Sequence, residues 1–150
     1  MEIRKITKEE LQETIDLAWK VFLKFEAPDY SEEGIEEFRK SIYNPDFINN
    51  LEIYAAFNKG KIVGMIATRA MNHIALYFVD ENYQGMGIGR QLYDYVSLLN
   101  IDNYFTVNSS PYARRIYEHI GFEYQSEMQQ VNGMKFYPMK GIIKNKNITK

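Results

Sequence analysis

The chain has 150 residues, 45% of them apolar and 25% charged, with a formal net charge of −2. That length and balance point to one globular domain with a single core, and the chain lacks the basic footprint of a nucleic-acid binder. No apolar run approaches the ~20 residues of a membrane span, and the absence of cysteine excludes disulfides, thiolate metal sites and a cysteine nucleophile.

The N-terminus, Met1 to Ile6, alternates polar and apolar residues and lacks the apolar centre of a signal peptide, so the cytoplasm is the expected compartment. Residues 2–6 read as a first strand. Thr7 and Glu10 have capping-box spacing, and Leu11, Ile15, Ala18 and Phe22 then mark one helical face that should end before Pro28. Ser31, followed by Glu32 and Glu33, reads as a second N-cap. Ile35, Phe38 and Ile42 continue at helical spacing until Asn44-Pro45 stops the helix.

Leu51 to Phe57 and Lys61 to Thr68 form a hairpin across Asn58-Lys59-Gly60. His73 to Val79 is apolar enough for a central strand buried on both faces. After a polar turn and a glycine cluster, Ile88, Leu92, Val96 and Leu99 give the buried stripe of another helix. Asn103 to Val107 is a short strand. Ser110 and Pro111 open a helix as N-cap and first residue. In that helix Ile116 and Ile120 point inward, and Gly121 closes it as a left-handed C-cap. Phe122 to Val131 and Met134 to Met139 form a closing hairpin across Asn132-Gly133. The element order is β-α-α-β-β-β-α-β-α-β-β, in one domain over residues 1–141. A polar, basic tail follows over 142–150, expected to be frayed.

The segment Val79 to Arg90 is the informative one. Gly85, Gly87 and Gly89 lie between a strand and a helix, where they free the backbone and let a ligand approach the main chain. The helix that follows turns its unbonded N–H groups and positive dipole end into the same space, which suits an anion. A tight turn that needs glycine for geometry alone is the structural alternative. A P-loop requires Lys and Ser/Thr after the last glycine, whereas Gly89 is followed by Arg90-Gln91. The dinucleotide fingerprint has a different spacing and belongs in a first βαβ unit.

Gln84-Gly85-Met86-Gly87-Ile88-Gly89 resembles the Gln/Arg-x-x-Gly-x-Gly/Ala motif of the GCN5-related N-acetyltransferase (GNAT) superfamily. Leu76 to Val79 is similar to that family's central strand. Asn108, Tyr112-Ala113 and Ile116 to Phe122 look like its second cofactor motif, and the element order matches along nearly the whole chain. The resemblance implies an α/β fold with a seven-stranded, mostly antiparallel mixed sheet and about four helices. It also implies acetyl-CoA as acyl donor and direct transfer to an amine, either a small molecule or a peptide. No nucleic-acid, membrane or metal partner is implied, and a homodimer is compatible with it. The same fold can also serve as a catalytically silent acyl-CoA-binding or interaction module.

By the same resemblance, Gln84, Gly85, Met86, Gly87, Ile88, Gly89 and Arg90 would cradle the pyrophosphate. The main chain of Phe78 and Val79 would bond the pantetheine arm, with Val79 N–H stabilising the oxyanion. Asn108 would reach that arm too, beside Tyr112 and Ala113. Tyr117 would protonate the departing thiolate; a place in the core is its structural alternative. Glu26, Asp29 and Tyr30, between the first two helices, would shape the acceptor site. Candidate bases are Glu26, Asp29, His73 and Glu52, with His73 expected on the surface away from the thioester.

Overall fold

The structure, a computed structural model, describes residues 1–144. Strand β1 (Glu2–Lys5) leads to the expected capping box, in which Thr7 N–H donates to Glu10 Oε1 at 2.9 Å. Helix α1 (Leu11–Phe25) buries Ile15, Ala18 and Phe22. Helix α2 (Glu32–Ile42) is capped by Ser31, whose Oγ accepts from Gly34 N–H at 3.2 Å. Phe38 and Ile42 are its buried face. Phe22 and Phe38 stack at 3.9 Å, and Phe38 meets Phe78 edge-on at 6.1 Å, which seats the helix pair on one face of the sheet.

Asn44-Pro45 ends α2 but also starts α3 (Pro45–Ile48), an element the sequence reading lacks. The Asn44 carboxamide accepts from Asp46 N–H at 2.8 Å, and Pro45 fits the first turn, so one dipeptide serves as stop and start. Strands β2 (Leu51–Asn58) and β3 (Lys61–Arg69) join through Lys59-Gly60, both left-handed at φ 52° and 83°. Then come β4 (His73–Val79), α4 (Ile88–Leu99), β5 (Tyr104–Ser109) and α5 (Arg114–Ile120). The chain closes with β6 (Glu123–Tyr124), β7 (Gln129–Val131) and β8 (Met134–Ile142).

The sheet order is β1-β2-β3-β4-β5-β8-β6, with β7 also on β8. Every pairing is antiparallel except β4 with β5. The class is therefore the expected mixed α/β one, with eight strands and five α-helices among the described residues. The extra strand arises because the single expected strand over 122–131 is two pieces. β6 pairs near Met139 and Lys140, and β7 pairs near Met134 to Phe136. Between them lies Pro138 of β8, which has no N–H to give; only its carbonyl is used, by Gln125 N–H at 2.8 Å.

Two helical stripes also differ from expectation. In α4 Tyr93 joins Ile88, Leu92 and Val96 in the buried stripe, while Leu99 is 48% exposed. In α5 the inward residue is Tyr117, whereas Ile116 is 45% exposed. The helix proper starts at Arg114, one turn later than Ser110-Pro111 implies. Ser110 Oγ accepts from Ala113 N–H at 3.1 Å and caps the intervening turn instead. Gly121 is the left-handed C-cap, at φ 108°. Tyr93, Phe105, Tyr117 and Phe122 form the second core layer, between α4, α5 and the other sheet face.

Strand β4 is covered on both sides, but unequally: Ile74, Leu76 and Phe78 are buried and the alternate residues half-buried. Strand β8 runs to Ile142 and Ile143 is buried, so the packed fold extends past residue 141. The remainder of the expected tail, 145–150, lies outside the described residues. Among the described residues, no helix is long and apolar enough to cross a membrane, and no cluster of His, Cys, Asp or Glu is placed to hold a metal ion.

Candidate functional site

Strands β4 and β5 pair only at His73 with Thr106 and Ile74 with Val107. Beyond Ile74 they part, while β4 stays in register with β3 as far as Val79. The ladder with β3 shifts register around Ala75, since Ile74 faces Thr68 and Leu76 faces Ala67. At the open end, Asp80 N–H donates to Val63 O at 2.9 Å. The alternation of an antiparallel ladder then turns the N–H and C=O of Val79 away from β3, into the cleft between the parted strands. Gln84 Nε2 donates to that carbonyl at 3.1 Å, leaving the Val79 N–H as the outward donor.

The glycine loop closes the mouth of this cleft. Gly85 and Gly87 are left-handed at φ 80° and 82°, and a Cβ at either would meet nothing within 4 Å. Their need for glycine is therefore conformational, and the space before the loop is open. Gly87 is the N-cap of α4, whose first N–H groups have no partner within the helix. The Tyr77 hydroxyl donates to the Gly89 carbonyl, tying the strand to that first turn. Phe78, Val79, Gln84, Gly85, Gly87, Ile88, Gly89, Tyr112 and Ala113 line a cavity of about 360 Å³ here. Met86 is 63% exposed, and Arg90 Nε pairs with Asp94 at 3.1 Å; neither lines it.

A second cavity, of about 310 Å³, lies on the α2 side. Its roof is the β7–β8 hairpin, held against α2 by two glycines: a Cβ on Gly34 would sit 2.2 Å from the Gly133 carbonyl oxygen. Asn108, Tyr30 and Tyr117 line this cavity. Glu26, Tyr77, Phe78 and Ala113 belong to both cavities, so they form the wall where the two meet.

Glu26 sits at that wall with its carboxyl pushed up to about 7. Burial is the main cause, the Ser110 hydroxyl opposes it, and the charge of Asp29 adds to it. Tyr117 is 4% exposed, and burial raises its hydroxyl well above the ordinary value, with Tyr77 and Glu26 contributing. Tyr30 packs on Phe22 at 5.4 Å and is raised mainly by burial. His73 lines the far end of the second cavity rather than the outer surface. Its Nδ1 lies 2.9 Å from Thr106 Oγ1, and burial, aided by Arg69, lowers it to about 4.

Of the other residues expected at the site, Asp29 is exposed and lines neither cavity. Glu52 lies on β2, paired with Lys5 at 2.6 Å, also outside both. Tyr77, Ser110, Arg69, Glu37 and Lys135 face the cavities without having been singled out in the sequence. Only Tyr77 carried a local signal: it lies on the central strand two residues before Val79.

A family model described as an acetyltransferase (GNAT) domain matches residues 26–143. No curated protein sequence matches the chain significantly. Among solved structures, a GCN5-related N-acetyltransferase from Rhodopseudomonas palustris superposes with a TM-score of 0.82 at 20% identity, covering 95% of each chain. The PaiA N-acetyltransferase of Thermoplasma acidophilum, in complex with coenzyme A, gives a TM-score of 0.75 at 20% identity, covering 94% of this chain and 98% of the other. Apo YjaB from Escherichia coli gives 0.74 at 20% identity, covering 93% and 95%.

Proposed function

The chain belongs to the GNAT acetyltransferase family, and on that premise we propose that it transfers the acetyl group of acetyl-CoA directly to a primary amine. The observation that carries this reading is the parting of β4 from β5 after Ile74, with the glycine loop at the mouth of the cleft. The residues present fit the donor. An unpaired strand edge suits the amides of an extended pantetheine arm, and an open glycine cradle at a helix N-terminus suits a pyrophosphate. A solved neighbour of the same fold, the PaiA N-acetyltransferase, is in complex with coenzyme A, which supports the choice of ligand.

Acetyl-CoA, when bound, supplies a thioester carbonyl already activated towards amines. The backbone of Gln84 to Gly89 holds its pyrophosphate, while the main chain of Val79 and the amide of Asn108 hold its arm; the N–H and C=O of Phe78 face β3, so Phe78 only lines the cleft, which corrects its expected main-chain role. Met86 and Arg90 flank the loop on its solvent side. The Val79 N–H is the donor for the negative charge that develops on the carbonyl oxygen; such a donor is worth roughly 3–4 kcal/mol.

Glu26 is the base. A carboxyl near 7 is part-ionised at neutral pH and takes the proton of the incoming ammonium without an extreme mismatch. Tyr117, kept neutral by burial, donates to the departing sulfur. Because a thiol of pKa about 8.5 already leaves fairly well, this help is the smaller part. Both groups face the acceptor cavity, so the proton that one accepts offsets the proton that the other gives. Tyr30 forms the acceptor wall beside Glu26, and Asp29 acts on Glu26 only through its charge. Most of the rate gain comes from holding amine and thioester together.

The test is a panel of primary amines incubated with the protein and acetyl-CoA, reading free thiol and the mass of the acceptor. Thiol release matched by an acetylated amine supports the reading. Protein that binds acetyl-CoA yet acetylates no amine would sink it.

A further inference from the structure

The second cavity is polarised along its length. At the wall shared with the donor cavity it carries Glu26. Its far end is marked by Arg69 and His73, which face each other in the β3–β4 register where the parallel pairing with β5 begins. Phe78 lies five positions along β4 from His73, roughly 16 Å of strand. Glu37 on α2 and Lys135 on the hairpin roof add one charge of each sign to the lining, and neither forms an ion pair among the described residues.

Arg69 is therefore the unbalanced charge of the far end. It has no ion-pair partner among the described residues, and His73 beside it is uncharged at neutral pH. The turn that sets Arg69 opposite His73 runs through Ala70 and Met71 at φ 51° and 68°, a left-handed pair built without glycine.

We infer that the acceptor is a linear amine bearing a carboxylate at its opposite end, with the amine at Glu26 and the carboxylate held by Arg69. This rests on the acetyl-transfer reading of the same site. A guanidinium suits the role because its fork can donate two parallel hydrogen bonds to a carboxylate. The apolar stretch between the charged ends, walled by Phe38, Ile42, Ile74 and Leu76, fits an aliphatic connection. A diamine would instead bring its second ammonium against Arg69.

The experiment compares a homologous series of ω-amino acids, including ε-aminocaproate, with their amides and with linear diamines, using thiol release for kinetics and calorimetry for acetyl-CoA affinity. The preferred acid should have a KM roughly 10–100-fold below that of its amide. Arg69→Gln should erase that difference while leaving acetyl-CoA affinity unchanged. Equal KM values for acid and amide, a preference for the diamine, or no acetylation of any acid by protein that binds acetyl-CoA would overturn the inference. Failure to bind acetyl-CoA at all would instead strike the acetyl-transfer reading on which it stands.

Discussion

The Tyr77 hydroxyl donates to the Gly89 carbonyl, and by that bond the central strand fixes where the glycine loop and α4 begin. The same ring lies 6.0 Å from Tyr117, so one residue touches both the donor cradle and the acid. Tyr77→Phe keeps the ring and removes the tie. It should cost about 1 kcal/mol of stability and weaken acetyl-CoA binding several-fold, with the amine KM unchanged. Thermal unfolding and calorimetric titration measure the two effects.

Glu26→Gln should lower kcat/KM about 10²–10⁴-fold at neutral pH and abolish its rise with pH around 7. Stability should move the other way. The folded-state pKa is raised from 4.5 to about 7, so the wild-type loses stability as pH climbs through that window. The glutamine variant escapes this loss. It should be more stable than the wild-type at pH about 8, by on the order of 1–3 kcal/mol with a correspondingly higher Tm, and match it near pH 4. A variant that unfolds more readily at high pH would contradict the placement of Glu26.

Tyr117→Phe retains the packing of the ring against Phe122 at 5.3 Å and loses only the hydroxyl. We expect kcat to fall roughly 10–100-fold, the lower part of the general-acid range, with acetyl-CoA affinity preserved. An activated thioester with a more acidic thiol should recover much of the rate. Unaltered kcat would leave Tyr117 a core residue.

Gly34→Ala separates the two cavities. Its Cβ would sit 2.2 Å from Gly133 O, backbone against backbone, so the hairpin roof must shift. Acceptor KM should rise while acetyl-CoA affinity holds, because the donor cradle lies elsewhere. Equal losses at both sites would mean general unfolding instead.

The sequence made the local devices legible: the Thr7–Glu10 box, the Ser31 cap, the Gly121 terminus and the Gly85–Gly89 loop each carry their own chemistry. What escaped it depends on partners distant in the chain. The break between β6 and β7 lies in their own exposed residues and in Pro138 of the opposing strand. The rotation of α5 that buries Tyr117 and exposes Ile116 is set by Phe122 and Tyr77 packed against it. Glu26 was recognisable as a nearby acid, but its raised pKa comes from burial at a wall that only the folded chain builds. Arg69 had no local mark at all.

The most direct measurement is calorimetric titration of the wild-type protein and Gly87→Val with acetyl-CoA. Wild-type protein should bind with a Kd of roughly 1–100 μM. The valine variant, forced into a left-handed φ of 82° beside the cradle, should stay folded and bind at least tenfold more weakly. A flat titration with folded wild-type protein, or equal affinity in both, would contradict the assignment of the cleft between β4 and β5 to acetyl-CoA.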